Sequence, residues 1–224
     1  MLNQVGIAIV FLIAIFLLLI FNELIYRRFN IQGEITRKLA HFLATLSTVT
    51  FPYLFDEHWY VLALAVIFFL LLFISRNSDY LKSIHDIKRM SVGSYLLPVA
   101  IYLTFLISDM LNEKIFFILP MLILAICDPV AGILGLNLHT YNHRIRIYKW
   151  KLNKTWLGSG SFMISCFIVS IIALYFYYSD FSLKTFWLAL LISVAGTLTE
   201  MFSWKGTDNL LIPMSVLIVL VLFL

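Results

Sequence analysis

Apolar residues run almost without interruption along this chain, and short polar segments punctuate them at intervals. Eight runs stand out, at about 5–26, 36–55, 59–75, 92–109, 114–136, 159–178, 184–201 and 209–224. Each is close to the roughly 20 residues an α-helix needs to cross a bilayer. The runs are continuous, whereas the strands of a membrane barrel alternate apolar and polar positions. The pattern therefore predicts an all-α polytopic transmembrane bundle of about eight spans, a single integral membrane domain over residues 1–224. The first run has no positive charge ahead of it and is longer than the apolar core of a signal peptide, so it reads as a retained membrane helix.

Composition agrees. Of the 224 residues, 62% are hydrophobic and 12% charged, where soluble domains carry roughly 25% charged residues. The net charge of +4 does not point to nucleic acid, because the charges follow the loops. Arg27, Arg28, Arg37 and Lys38 lie in the first loop, and Arg76, Lys82, Lys88 and Arg89 in the third. Arg144, Arg146, Lys149, Lys151 and Lys154 lie in the fifth, and Lys205 in the seventh. These are 14 of the 16 basic residues; the even loops hold only Lys114 and Lys184. Basic loops stay in the cytoplasm, which places the odd loops there and both termini on the far side. Cys127 and Cys166 sit within apolar runs and do not suggest a disulfide framework.

Candidate chemistry gathers on that cytoplasmic side. The longest such stretch, CDPVAGILGLNLHTYNHRIRIYKWKLNKTWLGSGS, spans Cys127 to Ser161. Asp128 is an oxygen ligand of the kind that holds a divalent cation. Gly132 and Gly135 follow it. The five basic residues of the loop suit phosphate, and Lys154-Thr155 with Gly158-Ser159 opens the next apolar run, where backbone N–H groups can meet an anion. Such a loop is also what membrane topology alone produces. The alternation of Arg144-Ile-Arg-Ile and Lys149-Trp-Lys-Leu suits a short hairpin on the membrane surface. Pro129 disfavours helical geometry at Asp128, so a kink or break is expected there.

Three further groups accompany it. In GEITRKLAHF, helical spacing stacks Glu34, Lys38, His41, Thr45 and Thr48 on one face; polar side chains on a membrane helix face the bundle interior or a wet cavity. The third loop contains His85, Asp86, Lys88 and Arg89 and reads as a solvated connector or a short interfacial helix near headgroups. Glu200, Lys205, Asp208 and Asn209 crowd one short turn between the last two runs. Asp128 and Asp208 together can supply oxygen ligands to Mg²⁺, with Asn209 adding a carbonyl oxygen.

Taken in order, Arg37-Lys38-x-x-His41, Asp128-x-x-Ala131-x-x-x-Gly135, Lys154-Thr155-x-x-Gly158-Ser159, and Glu200 with Asp208-Asn209 and Pro213 resemble the CTP-dependent lipid-alcohol kinases. That family includes dolichol, phytol and farnesol kinases and the yeast-type diacylglycerol kinase, and is similar in turn to phosphatidate cytidylyltransferases. The resemblance covers residues 34 to 213. It implies transfer of the γ-phosphate of CTP, with Mg²⁺, to a long-chain lipid alcohol. It implies metal binding or hydroxyl orientation by Asp128, and nucleotide binding by Lys154, Thr155, Gly158 and Ser159. Asp208 and Asn209 would hold metal or nucleotide. His41 with Arg37 and Lys38 would line the site, with Gly132 and Gly135 beside it. The basic loop, including Arg144, Arg146 and Lys151, would close over the nucleotide. The family usually carries Glu where this chain has Leu157; Glu200 is expected to supply the missing acid, as a metal ligand or beside Lys154.

Two other classes compete. A cytidylyltransferase would use the same CTP and Mg²⁺ to make a CDP-lipid from a lipid phosphate. A small-molecule transporter would use spans broken at Pro129 and Pro213, but transport sites sit near the bilayer midplane, and these charges lie toward one face. A purely structural subunit would leave the clustered acids unexplained. Cysteine labelling in intact cells should find positions across the 138–157 loop protected from external reagent and both termini accessible; external labelling of that loop would reverse the orientation.

Overall fold

The structure is a computed structural model and describes residues 3–29, 33–76, 81–85, 91–137, 143–147 and 150–224. It is a helical bundle. Helix α1 spans Gln4–Phe29, α2 Gly33–Thr48, α3 Phe51–Leu54, α4 His58–Ser75, α5 Lys82–His85, α6 Gly93–Leu111 and α7 Ile115–Asn137. Strands β1 (Arg144–Ile147) and β2 (Trp150–Thr155) form an antiparallel hairpin, and α8 (Trp156–Tyr178), α9 (Leu183–Phe202) and α10 (Asp208–Phe223) complete the chain.

Among the described residues six helices are long and apolar enough to cross a membrane: α1, α4, α6, α7, α8 and α9. The apolar α10 is shorter, at 16 residues. The run expected as a single span at 36–55 divides instead into α2 and α3. Pro52 has no N–H to return to the Thr48 carbonyl, so the last turn of α2 is not continued. The break expected at Pro129 is absent: α7 runs from Ile115 through Pro120 and Pro129 to Asn137. This helix is the axle of the bundle, packed by α2, α6, α8 and α10. Met121, Ile123, Leu124, Ala125 and Cys127 on it are wholly buried. Packing around the buried Pro129 holds the helical path where the proline removes one backbone bond.

Helix ends are closed by local chemistry. Ser182 accepts from the Thr185 N–H and starts α9, and Asn112 and Ser179, both left-handed, stop α6 and α8. Left-handed backbone at the end of a helix lets its last carbonyls find partners. Small residues set the closest helix approaches. A Cβ on Gly196 of α9 would stand 3.2 Å from the Phe162 ring of α8, which is how these two helices come together. A cluster of Phe11, Phe51, Phe105 and Phe117 rings fills the core, with Phe51 and Phe117 stacked at 6.2 Å.

The two ends of the bundle differ. At one end Gln4 donates to Asp56 at 2.6 Å, Tyr177 to Glu113 at 3.1 Å, and Lys184 to the Leu224 carbonyl. The opposite end collects the start of α2, the end of α7, the hairpin, the end of α9 and the start of α10. There α5 is tied down by Glu23 of α1, which accepts from the Ser83 N–H at 2.9 Å, and by Thr36 of α2, which donates to the Ser83 carbonyl at 2.9 Å.

The α9–α10 turn depends on Gly206, whose φ of +91° favours glycine and whose Cβ would meet the Gly93 nitrogen and the Ser91 hydroxyl at 2.5 Å. Gly160, on the exposed side of α8, has nothing within 4 Å of that position. Gly206→Ala should lower the melting temperature in detergent, because both backbone strain and collision oppose it. Gly160→Ala should leave it unchanged or raise it, adding up to about 1 kcal/mol of helix propensity. Equal melting temperatures for the two variants would contradict this account of the turn.

Candidate functional site

At the polar end the ammonium of Lys154 lies between two carboxylates. Its Nζ is 2.7 Å from Glu200 Oε1 and 3.2 Å from Asp208 Oδ2. Local structure explains the meeting. Lys154 is the penultimate residue of strand β2, and the last, Thr155, accepts the Gly158 N–H at 3.1 Å and so caps α8. Glu200 lies in the last turn of α9. The left-handed Lys205 and Gly206 then turn the chain so that Asp208 opens α10. The other oxygen of Glu200 accepts from the Ser159 hydroxyl at 2.8 Å. Asp208 Oδ1 accepts from the Asn209 N–H at 3.1 Å.

Burial works against the Lys154 ammonium, but the carboxylates of Asp208, Glu200 and Asp128 outweigh it and hold its pKa well above the ordinary lysine range. A raised pKa on a base means that its stabilisation is complete below the ordinary lysine value and is lost only as pH climbs through the raised one. Lys154 is therefore cationic throughout the neutral and mildly alkaline range.

Asp128 on α7 faces α2. Its Oδ2 is 4.0 Å from Lys38 Nζ, and Lys38, His41, Lys154 and Arg37 all lie within its electrostatic reach. Gly132, one turn further along α7, makes room for this lysine, because a Cβ there would collide with Lys38 Nζ. His41 points the same way, and its Nε2 is buried with no hydrogen-bond partner. Asp128, Glu200, Asp208, Lys154, Lys38, Arg37 and His41 thus form one charged cluster contributed by α2, α7, β2, α9 and α10.

Several expected residues take other positions. The Asn209 amide donates to the Gly93 carbonyl at 2.8 Å and is 5% exposed, so it braces α10 against α6 rather than joining the cluster. Ser159 is committed to Glu200, and the Gly158 N–H to Thr155. Gly135 and Gly158 serve the contact of α7 with α8: a Cβ on Gly158 would stand 3.1 Å from the Ala131 carbonyl, and one on Gly135 3.2 Å from Thr155 Oγ1. Arg144 is exposed on β1, whose neighbour Ile145 is fully buried and anchors the hairpin. The side chains of Arg146 and Lys151, and residues Asp86, Lys88, Arg89 and Lys149, lie outside what the structure describes.

The trio Asp128, Glu200 and Asp208 does not converge on one point. Among the described residues no three Asp, Glu, His or Cys side chains form a ready ligand set for a metal. Lys154 stands where a cation between Glu200 and Asp208 would stand. Asp128 is the less committed acid, since its ion-pair partner is at 4.0 Å. A nucleotide-bound Mg²⁺ takes one or two carboxylates and completes its shell with phosphate oxygens and water, and Asp128 fits that need. Gly93 escaped the sequence reading, its one signal being its place at a helix start; for the other glycines helix packing is the familiar alternative to phosphate binding, and it is the role Gly135 and Gly158 take.

Comparison with known proteins adds one relative. Over 193 residues the chain is 26% identical to a phytol kinase of Synechocystis sp. (strain ATCC 27184 / PCC 6803 / Kazusa), covering 86% of this chain and 80% of the relative. No family model matches the chain, and no solved structure matches it.

Removing one partner from a buried ion pair costs about 3–5 kcal/mol. Lys154→Met leaves two acids unpaired and should lower thermal stability by that order. Glu200→Gln should cost less, because Asp208 still holds the lysine. The double variant should be more stable than the two single losses summed, measured by melting in detergent. Additive losses would mean the three groups do not act as a unit. The wild-type protein should show no loss of stability attributable to Lys154 until pH passes above the ordinary lysine range.

Proposed function

We propose that this protein is a membrane lipid-alcohol kinase that transfers the γ-phosphate of CTP to the hydroxyl of a long-chain lipid alcohol, of the polyprenol, phytol, farnesol or diacylglycerol type. The observation that carries the reading is the half-buried cluster of Lys154, Lys38 and Asp128 at one polar end of an otherwise apolar bundle. Its likeness to a phytol kinase along 86% of the chain supports the same reaction class.

Phosphoryl transfer asks a protein mainly for alignment and for charge where charge develops. Lys154 arrives already held by Glu200 and Asp208, so its ammonium meets the phosphates without reorganising, and such fixed charges do most in a site that excludes water. Lys38, steered by Asp128 and Gly132, supplies a second cation, with Arg37 near it. Asp128 would hold Mg²⁺, which would supply positive charge to offset that of the phosphates. The hairpin with Arg144, Arg146 and Lys151 would cover the nucleotide and keep water from taking the phosphoryl group. The alcohol oxygen bonds to the γ-phosphorus, the bond to the β,γ-bridging oxygen breaks, and CDP departs with that electron pair. In this reading Glu200 replaces the acid that Leu157 lacks by holding Lys154 rather than metal. The polar end faces the cytoplasm, where nucleoside triphosphates are made, while the alcohol arrives through the membrane.

The test uses purified protein with CTP labelled at either the α- or the γ-phosphate and a panel of lipid alcohols and lipid phosphates. Label from the γ-position should enter a lipid alcohol, EDTA should stop it, and Mg²⁺ should restore it. Asp128→Asn should lower turnover on the order of a hundredfold or more while gel filtration stays unchanged. Entry of α-label into a lipid phosphate would establish the cytidylyltransferase reading instead, and near-normal turnover in Asp128→Asn would remove that residue from the site.

A further inference from the structure

The inner wall of the site carries two unmet hydrogen-bonding atoms on α2. His41 Nε2 and Thr45 Oγ1 are both buried without a hydrogen-bond partner among the described residues. Residues four apart on a helix share a face and are neighbours. With Ser83 and Ser170, Thr45 is one of three buried helical Ser and Thr hydroxyls without a partner among the described residues, and of these it shares its helix face with His41 and Lys38. Buried helical hydroxyls normally return to their own helix: Thr48 to the Thr45 carbonyl, Thr104 to Ala100, Ser193 to Leu190 and Thr197 to Ser193. Thr45, at 0% exposure, makes no such bond. Leaving a buried polar atom unsatisfied costs about 1–3 kcal/mol, so the pair fits a site that is completed by something else.

Position on the helix says what. Lys38 meets Asp128 at the polar end, His41 lies within electrostatic reach of Asp128, and Thr45 lies one turn deeper, about 6 Å further into the bundle at the rise of an α-helix. Phosphate enters from the charged end, and a lipid alcohol presents its hydroxyl from the apolar side. We propose that His41 and Thr45 bind the acceptor hydroxyl of the lipid alcohol. This rests on the kinase reading and deepens it. The substrate hydroxyl donates to His41 Nε2, which is the lone-pair nitrogen when the ring proton is on Nδ1. The Thr45 hydroxyl donates to the substrate oxygen, and the remaining lone pair of that oxygen faces the γ-phosphorus. As the new O–P bond forms and the bridging O–P bond breaks, the hydroxyl proton passes to His41, whose positive charge the Asp128 carboxylate stabilises.

Thr45→Val removes the hydroxyl and keeps the shape. It should raise KM for the lipid alcohol about three- to tenfold, the loss of one hydrogen bond between uncharged groups, leave KM for CTP unchanged, and leave the melting temperature unchanged or raised, since the unsatisfied hydroxyl is gone. Thr45→Ser should restore the alcohol KM. The methyl ether of the same alcohol keeps the oxygen that accepts from Thr45 and loses the proton given to His41, so it should inhibit the wild type more strongly than Thr45→Val; equal inhibition would remove the Thr45 contact. If the wild type phosphorylates alcohols and Thr45→Val has an unchanged alcohol KM, the inference is overturned and the kinase reading stands. If KM for CTP rises in parallel, Thr45 shapes the nucleotide side and the inference is also overturned. If the wild type phosphorylates no alcohol in the panel, the kinase reading itself falls. Should Thr45→Val fail to fold, Thr45→Ala compared with Thr45→Ser decides by the same ratio.

Discussion

The ammonium of Lys154 between Glu200 and Asp208 is the interaction on which the polar end of this bundle depends. Each of the three comes from a different element: the last residues of the hairpin, the last turn of α9 and the first turn of α10. Apolar helix packing does not fix how far these ends sit from one another, because hydrocarbon contacts are tolerant of small slips along a helix axis. A buried cation with two anionic partners is not tolerant, because each mismatch leaves a charge uncompensated in a medium of low polarity. Ser159 extends the same constraint to α8 through the second oxygen of Glu200. The hairpin, α8, α9 and α10 are thus set in register by one amino group.

That arrangement divides the acids by role. Glu200 and Asp208 have their oxygens occupied by Lys154, Ser159 and the Asn209 N–H. Asp128, across the cluster on α7, meets Lys38 at 4.0 Å, with His41, Lys154 and Arg37 within electrostatic reach. Two carboxylates hold the scaffold, and the third faces the cations of α2.

Much of the architecture was legible from hydropathy alone, since continuous apolar runs leave no fold but helices in a bilayer. The alternation of basic loops also made it plain that the charged groups share one end, and helical spacing put Lys38, His41, Thr45 and Thr48 on one face of α2. Other features were not readable. Pro129 looks like a helix breaker, yet the fate of a proline in a membrane helix is decided by what packs around it, and Pro129 itself is buried among the neighbours of α7. Gly132 and Gly158 look like phosphate-loop glycines, but what each must clear, an ammonium in one case and a carbonyl in the other, is a three-dimensional fact. Asn209 sits next to an acid in sequence, while its side chain turns to Gly93 on a helix more than a hundred residues earlier. Three acids on one side of a membrane suggest a metal cage only until the position of the lysine between two of them is known.

The open space at Gly160 offers practical leverage. It lies two residues beyond Gly158, within a turn and a half of Lys154 in a segment whose start is pinned by the Thr155 cap, and no neighbouring atom occupies the space a side chain would enter. A spectroscopic reporter attached there would report on the polar end of the bundle without disturbing the packed side of α8. Few positions in so apolar a protein combine rigidity of backbone, closeness to the charged cluster and freedom from contacts, and this one does so because a glycine has kept the space empty.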